Sequence, residues 1–278
     1  MNRQKLITVL AEYGIHPSKA KGQNFLVDKN MLDAMVRSME LQDGEQILEV
    51  GPGTGVLTRI LVEAGCQLTS VETDKKLYKY ISENIIADNF SLVFGDACRV
   101  NYNDIIDFTK DYRCIANLPY AISSVFIAKM TLLKKPPTEM FFLLQKEMAE
   151  RFSAKPHTKK YGSLTVRAGV LYDSKILRTV PPQVFHPPPK VDSAFIQMKL
   201  KKTIPSKECL TNLNKLVKVA FSQRRKKAFK LISAVFPKES VLKAYNILGF
   251  DENIRAENIE INQYLQFAEI LTEKDHGQ

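Results

Sequence analysis

Cysteine is scarce in this 278-residue sequence: only Cys66, Cys98, Cys114 and Cys209 are present. They are widely spaced and form no CxxC pair, so neither a disulfide framework nor a zinc or other metal site is expected. Free thiols suit a reducing compartment. Long apolar runs are missing as well. Met1 to Lys21 lacks the apolar stretch of a secretory signal, and nothing approaches the roughly 20 apolar residues of a membrane span. A soluble cytoplasmic protein with no membrane association is expected. There are no internal repeats and no low-complexity tract.

Apolar residues make up 45% of the chain, enough to bury a proper core. The length suits one large catalytic domain, with or without a small appendage. The formal net charge of +10 favours a polyanionic partner, although a basic enzyme without one has the same composition.

Hydrophobic periodicity organises the chain. Asp28 can cap a helix whose apolar face is Met31, Leu32, Met35, Val36 and Met39. Gln46 to Val50 reads as a buried strand, followed by Gly51-Pro52-Gly53-Thr54-Gly55 and a helix closed by Gly65. Strands at Leu68–Glu72, Ser91–Phe94, Arg113–Ala116 and Met140–Leu144 then alternate with helices at Lys75–Ile86 and Ser123–Leu133. This alternation predicts an α/β fold with a doubly wound, mostly parallel sheet. Such sheets bind ligands beyond the C-terminal ends of their strands. Lys175–Val180 and Val191–Leu200 predict a terminal antiparallel pair, and the proline-rich segment between them predicts a stiff surface loop. Strand signals stop after Thr203. The boundary is therefore drawn at residue 202, with a small all-helical domain over 203–278.

The chemistry-bearing residues sit at the predicted strand ends. In the glycine loop the position three after Gly53 is Val56, so the GxGxxG of a dinucleotide site fails. Glu49 beside that loop disfavours phosphate and favours a positively charged ligand, such as the sulfonium and ammonium of S-adenosylmethionine. The loop also fits a ligand-free strand–helix turn. Glu72 ends the next strand, about twenty residues after Gly51, where a carboxylate can accept from both hydroxyls of a ribose. Asp96 follows the third strand and can accept from an adenine amine. Two acids at successive strand ends favour a nucleoside site over two solvated loop acids.

The fourth strand runs into Asn117-Leu118-Pro119-Tyr120. The N6 amine of adenine is a poor nucleophile, because its lone pair is delocalised into the ring. The Asn117 side-chain oxygen and a nearby backbone carbonyl can hold both N–H groups and favour a tetrahedral nitrogen. Methyl transfer then needs in-line placement more than a strong base. Tyr120 offers a ring on which a flipped-out base can stack. Phe185 can sandwich that base or pack beneath the proline-rich loop, and the sequence leaves both open.

These segments resemble the small-subunit ribosomal RNA adenine dimethyltransferases. The resemblance runs in family order through Gly22-Gln23-Asn24-Phe25-Leu26, Glu49 to Gly55, Glu72, Gly95-Asp96, Asn117 to Tyr120, Tyr161-Gly162, Phe185 to Ala194 and Ala220 to Lys226. It implies a class I, Rossmann-like methyltransferase domain over 1–202 that uses S-adenosylmethionine and no metal. It further implies transfer to N6 of two adjacent adenines of 16S ribosomal RNA, giving N6,N6-dimethyladenine during small-subunit maturation. Carried over by position, the resemblance implies cofactor contacts from Asn24, Leu26, Gly51, Gly53, Glu72, Asp96 and Asn117. Asn117 and Leu118 would hold the target amine, and Tyr120 and Phe185 would stack the base. Lys21 stands where members often carry leucine, and Ala121 where a polar residue is common.

The expected partner is the small ribosomal subunit and its RNA. Candidate RNA contacts are Arg224, Arg225, Lys226 and Lys227, which with Lys230 are expected to open a helix, and a second cluster at Lys155, Lys159 and Lys160. A monomer is the default expectation. Three other readings compete: a resistance-type methylase of large-subunit RNA, a non-catalytic RNA-binding assembly or transcription factor, and a nicotinamide oxidoreductase. The Asn117 turn and the missing GxGxxG weigh against the last.

Overall fold

The computed structural model describes residues 2–17, 22–119 and 122–272. Two compact units result, one of residues 1–149 with 175–200, the other of residues 150–174 with 201–278. The sequence-based division was a single cut at residue 202. The structure instead assigns 150–174 to the helical unit as well.

In the first unit, α1 (Arg3–Glu12) precedes a two-residue strand β1 (Phe25–Leu26) and α2 (Lys29–Met39). Alternation then follows through β2 (Gln46–Val50), α3 (Val56–Glu63), β3 (Gln67–Glu72), α4 (Lys75–Asn84) and β4 (Phe90–Phe94). It continues with β5 (Tyr112–Asn117), α5 (Ser123–Met130), β6 (Glu139–Gln145) and α6 (Lys146–Phe152). After α7 (Ser163–Gly169) come β7 (Tyr172–Val180), β8 (Phe185–His186) and β9 (Ser193–Leu200).

The seven-stranded sheet has the order β4-β3-β2-β5-β6-β9-β7. Its first five strands are parallel, and β9 joins β6 antiparallel. The chain order reverses beside β2, and β2, β3 and β5 end there at Val50, Glu72 and Asn117. That is the crevice where doubly wound sheets take ligands. Burial explains the apolar runs: Met140 to Leu144 is at most 2% exposed, as a central strand covered on both faces requires. Asp28 caps α2 as expected, its side chain accepting from the Met31 N–H at 2.7 Å.

The proline-rich segment is not wholly a surface loop. Its Phe185 and His186 form β8, which pairs antiparallel with β1 through Leu26–Phe185 and Phe25–His186. The pairing is favourable because it buries Val184 and Phe185 while satisfying backbone groups, the Val27 N–H reaching the Val184 carbonyl at 2.9 Å.

The opposite end of the sheet is pinned by a buried cation. Arg113, at the start of β5, meets Glu45 at 2.8 Å and Glu139 at 3.1 Å and lies over the Phe141 ring. It also donates to the Met39 carbonyl.

The second unit adds α8 (Lys207–Ala220), α9 (Ala228–Ile232), α10 (Lys238–Leu248) and α11 (Ile261–Ile270). Its core mixes Leu213, Leu216, Tyr245 and Phe267 of these helices with Tyr161, Val166 and Val170. The Tyr161 hydroxyl donates to the Ile259 carbonyl at 2.7 Å, and Gly169 lies against Ile261. These contacts explain why 150–174 belongs to the unit.

Candidate functional site

A cavity opens in the first unit beyond the C-terminal ends of β2, β3, β4 and β5. The glycine loop forms its floor. Gly51, Gly53 and Gly55 all take positive φ, at 67°, 60° and 69°, a conformation that side chains rarely adopt. At Gly53 an added Cβ would lie 3.2 Å from the Phe25 ring, so the N-terminal segment closes directly over the loop.

Three acids line the cavity. Glu49 is 2% exposed and accepts from Ser70 Oγ at 2.6 Å and Thr58 Oγ1 at 2.8 Å. Burial pushes its carboxyl up to about 7, against the lowering effect of those hydroxyls. Glu72 is 4% exposed and takes the N–H groups of Thr73 and Asp74 on one oxygen, at 2.9 and 2.8 Å. Burial raises its carboxyl too, opposed by the backbone N–H groups of Asp74, Gly53 and Thr73. Asp96 is exposed at the cavity, one oxygen accepting the Cys98 N–H at 2.9 Å and the other lying 3.5 Å from Arg99 Nε. No lysine or arginine lines the cavity among the described residues. That set of acceptors fits sugar hydroxyls and cationic groups and does not fit phosphate.

Asn117 stands at the end of β5, exposed at the cavity edge. Its amide nitrogen donates to the Asn24 carbonyl at 2.9 Å, and Asn24 in turn donates to the Gly22 carbonyl at 3.2 Å. The first bond uses one of the two Asn117 N–H groups and orients the amide, whose Oδ1 is an acceptor. Leu118 is 1% exposed, and its N–H reaches back to the Leu143 carbonyl at 3.3 Å. The Pro119 carbonyl accepts from the Ile122 N–H and from Ser123 Oγ. Pro119 thus helps to start α5, and Leu118 itself is not among the residues that line the cavity.

The expected cofactor residues Asn24, Leu26, Gly51, Gly53, Glu72, Asp96 and Asn117 all border this cavity. Phe185 does not. It is 1% exposed and packs with Met35, Val184 and Phe195, so of the two positions left open by the sequence its ring takes the core one. The cause is β8, whose pairing with β1 carries the ring inward. Tyr120, Lys21 and Ala121 lie outside the described residues. Sequence reading gave no role to Phe25, Thr73, Ala97 or Ile122, which also line the cavity. Their positions next to Asn24, Glu72, Asp96 and the Asn117 turn were the available signal.

In the second unit, the basic run from Arg224 to Lys227 lies in a turn ahead of α9, not in a helix. Arg224 is engaged internally, pairing with Glu257 and donating to the carbonyls of Lys159 at 2.7 Å and Thr158 at 3.1 Å. Its guanidinium therefore braces the two basic segments against each other. Arg225, Lys226, Lys227, Lys155 and Lys159 are exposed around it.

Residues 17–273 match the family model described as ribosomal RNA adenine dimethylase. The ribosomal RNA small subunit methyltransferase A of Clostridium acetobutylicum is 34% identical over 259 residues, covering 92% of this chain and 94% of that protein. Its namesake in Clostridium botulinum is 30% identical over 277 residues, 98% of each. Among solved structures, a dimethyladenosine transferase from Plasmodium falciparum superposes with a TM-score of 0.75 at 23% identity, over 87% of this chain and 95% of that one. The 23S rRNA methyltransferase ErmE gives 0.67 at 23% identity, over 90% and 100%. At those identities the two structures speak for the fold, that of the class I methyltransferases.

Proposed function

The chain belongs to the ribosomal RNA adenine dimethylase family, and from that premise we propose that it methylates N6 of two adjacent adenines in small-subunit ribosomal RNA, using S-adenosylmethionine. The observation that carries the reading is Asn117, anchored through its nitrogen to Asn24 at the edge of a cavity lined by Glu49, Glu72 and Asp96.

S-adenosylmethionine supplies an electrophilic methyl carbon on a sulfonium sulfur. Glu72 would take the ribose hydroxyls and Asp96 the adenine amine on their carboxylate oxygens. Glu49 stands buried behind the glycine loop, tied to Ser70 and Thr58. Gly51 and Gly53 let the backbone approach closely. At the other end of the site, Asn117 Oδ1 and the Leu118 carbonyl each accept one N–H of the target amine in the first transfer, and one of them accepts the single N–H that remains in the second. Two acceptors draw the nitrogen toward tetrahedral geometry and turn its lone pair out of the ring. Neither is a base of useful strength, so they orient the amine and leave the proton to depart to solvent after transfer. Pre-set acceptors of this kind cost no reorganisation at the moment of reaction. Tyr120 stacks the flipped base, and Phe185 supports the wall behind the site.

The exposed cations Arg225, Lys226 and Lys227, with Lys155 and Lys159, hold RNA phosphates, and Arg224 holds the two segments together. Specificity is left to the pocket. The enzyme acts as a monomer in the cytoplasm during small-subunit maturation, and among the described residues no helix is long and apolar enough to cross a membrane.

The test is transfer of labelled methyl from S-adenosylmethionine to undermethylated small subunits, large subunits and free ribosomal RNA. Label in small-subunit RNA as N6,N6-dimethyladenine is the expected result. Label confined to large-subunit RNA would replace this reading with the resistance-type one. Cofactor binding with no label on any acceptor would leave a non-catalytic assembly role.

A further inference from the structure

The loop after β4 carries Asp96 and is wound tightly on itself. The Arg99 and Val100 N–H groups both return to the Asp96 carbonyl, at 2.7 and 2.9 Å, and the Cys98 N–H takes the Asp96 side chain. An added Cβ at Gly95 would lie 2.8 Å from Val100, so the turn has no slack. Winding of this kind spends the loop's N–H groups internally and turns its carbonyls away. Those carbonyls are captured from outside. Tyr102, 2% exposed, donates its hydroxyl to the Ala97 carbonyl at 2.7 Å. Lys129 donates its ammonium to the Cys98 carbonyl at 3.0 Å and the Val100 carbonyl at 2.7 Å. The same ammonium sits 4.9 Å from the centroid of the Tyr102 ring. A neutral side chain with one donor could not serve two carbonyls and a ring face together, whereas an ammonium has three donors and a full charge.

Lys129 belongs to α5, the helix that starts directly after the Asn117 turn. The first turn of α5 is fixed to the Pro119 carbonyl by Ile122 and Ser123, and Ile122 itself lines the cavity. A helix is stiff over the two turns from Ser123 to Lys129. One side chain therefore links the element that begins at the target-amine turn to the loop that presents Asp96.

We propose that Lys129 is a positioning residue for the cofactor, holding the Asp96 loop in its binding conformation by capturing the Cys98 and Val100 carbonyls from α5. The proposal rests on the reading of Asp96 as a cofactor contact. Lys129 touches no reacting atom and acts through Asp96.

The test is the dissociation constant of S-adenosylhomocysteine by calorimetry for Lys129→Met, Lys129→Arg, Asp96→Ala and the double variant Lys129→Met/Asp96→Ala, with melting curves for each. Lys129→Met is expected to weaken binding by about tenfold, the scale of a charge-assisted hydrogen bond at a half-buried site. Lys129→Arg keeps the cation and is expected to restore most of the affinity. In the Asp96→Ala background, Lys129→Met is expected to cost almost nothing further, because the group it positions is gone. Affinity within about twofold of the parent in Lys129→Met, or a loss that adds in full to that of Asp96→Ala, would overturn the proposal. An unchanged affinity in Asp96→Ala alone would instead overturn the reading of Asp96. If Lys129→Met does not fold, Lys129→Gln carries the test: it removes the charge while keeping a polar side chain, and a parental affinity there would overturn the proposal.

Discussion

Replacing Asn117 with alanine separates holding the target amine from every other task of the site. Asn117 is exposed at a strand end, and the hydrogen bond it loses, to the Asn24 carbonyl, is worth about 1 kcal/mol. Folding should hardly notice: a melting shift of a few degrees at most is expected. Binding of S-adenosylhomocysteine should weaken only a few-fold, since Glu49, Glu72 and Asp96 remain. The methyl-transfer step is different. There the amide oxygen accepts an N–H that becomes more acidic as the nitrogen acquires positive charge, so the bond strengthens toward the transition state. Losing one such pre-set partner costs on the order of 3 kcal/mol, or about 10²–10³ in rate. Single-turnover transfer to undermethylated small subunits, with cofactor and RNA saturating, reads that step directly. Asn117→Asp is the companion variant. It keeps an acceptor but loses the donor that anchors it to Asn24, so its rate should fall between those of alanine and the parent. A rate for Asn117→Ala within about threefold of the parent would refute the reasoning, because it would mean that no acceptor at this position is needed.

Three further outcomes follow from the geometry. Burial raises the Glu49 carboxyl to about 7, so this group contributes stability that is fully present below its unfolded value near 4.5 and is lost as pH rises through about 7. Glu49→Gln should flatten that fall, by up to about 3 kcal/mol between pH 5 and 8 in urea unfolding, and an unchanged pH dependence would show that Glu49 is not its source. Arg113→Met leaves the half-buried Glu45 and Glu139 without their shared cation, and should cost about 3–5 kcal/mol of stability in denaturant titrations. Adding Glu45→Gln and Glu139→Gln should recover much of that loss, and no recovery would assign the cost to packing around Phe141. Neutralising Arg225, Lys226 and Lys227 together should lower RNA affinity and reduce the slope of log affinity against log salt by about 2–3, whereas an unchanged slope would move the phosphate contacts elsewhere.

The strand–helix alternation was legible because parallel strands buried on both faces are written as short apolar runs. Gln46–Val50 is found with the predicted bounds, and Leu68–Glu72 and Met140–Leu144 within one residue. The acids at the ends of β3 and β4 were legible for the same reason: once the strands are placed, their C-terminal ends are known. Three things were not legible. The N-terminal helix α1 and the short helices α6 and α7 went unassigned. The membership of 150–174 depends on contacts such as Tyr161 to Ile259, 98 residues apart, for which a periodicity has no signal. Phe185 stayed undecided because an aromatic beside prolines suits both a base-stacking rim and a buried prop. Only the pairing of its backbone with Leu26 chooses between them.

That pairing also changes what the N-terminal motif means. As sequence, Asn24, Phe25 and Leu26 are three adjacent residues near one end of the chain, and nothing ties them to a turn 93 residues later. In the structure the segment is fixed on three sides. Leu26 is held by β8, the Phe25 ring closes on Gly53, and the Asn24 carbonyl takes the Asn117 amide. A segment so fixed cannot shift over the glycine loop without rotating the Asn117 side chain as well. The Asn24–Leu26 segment and the Asn117 side chain are thus mechanically one piece. On the proposed reading, a cofactor in that cavity would bear on the same backbone that anchors the Asn117 amide.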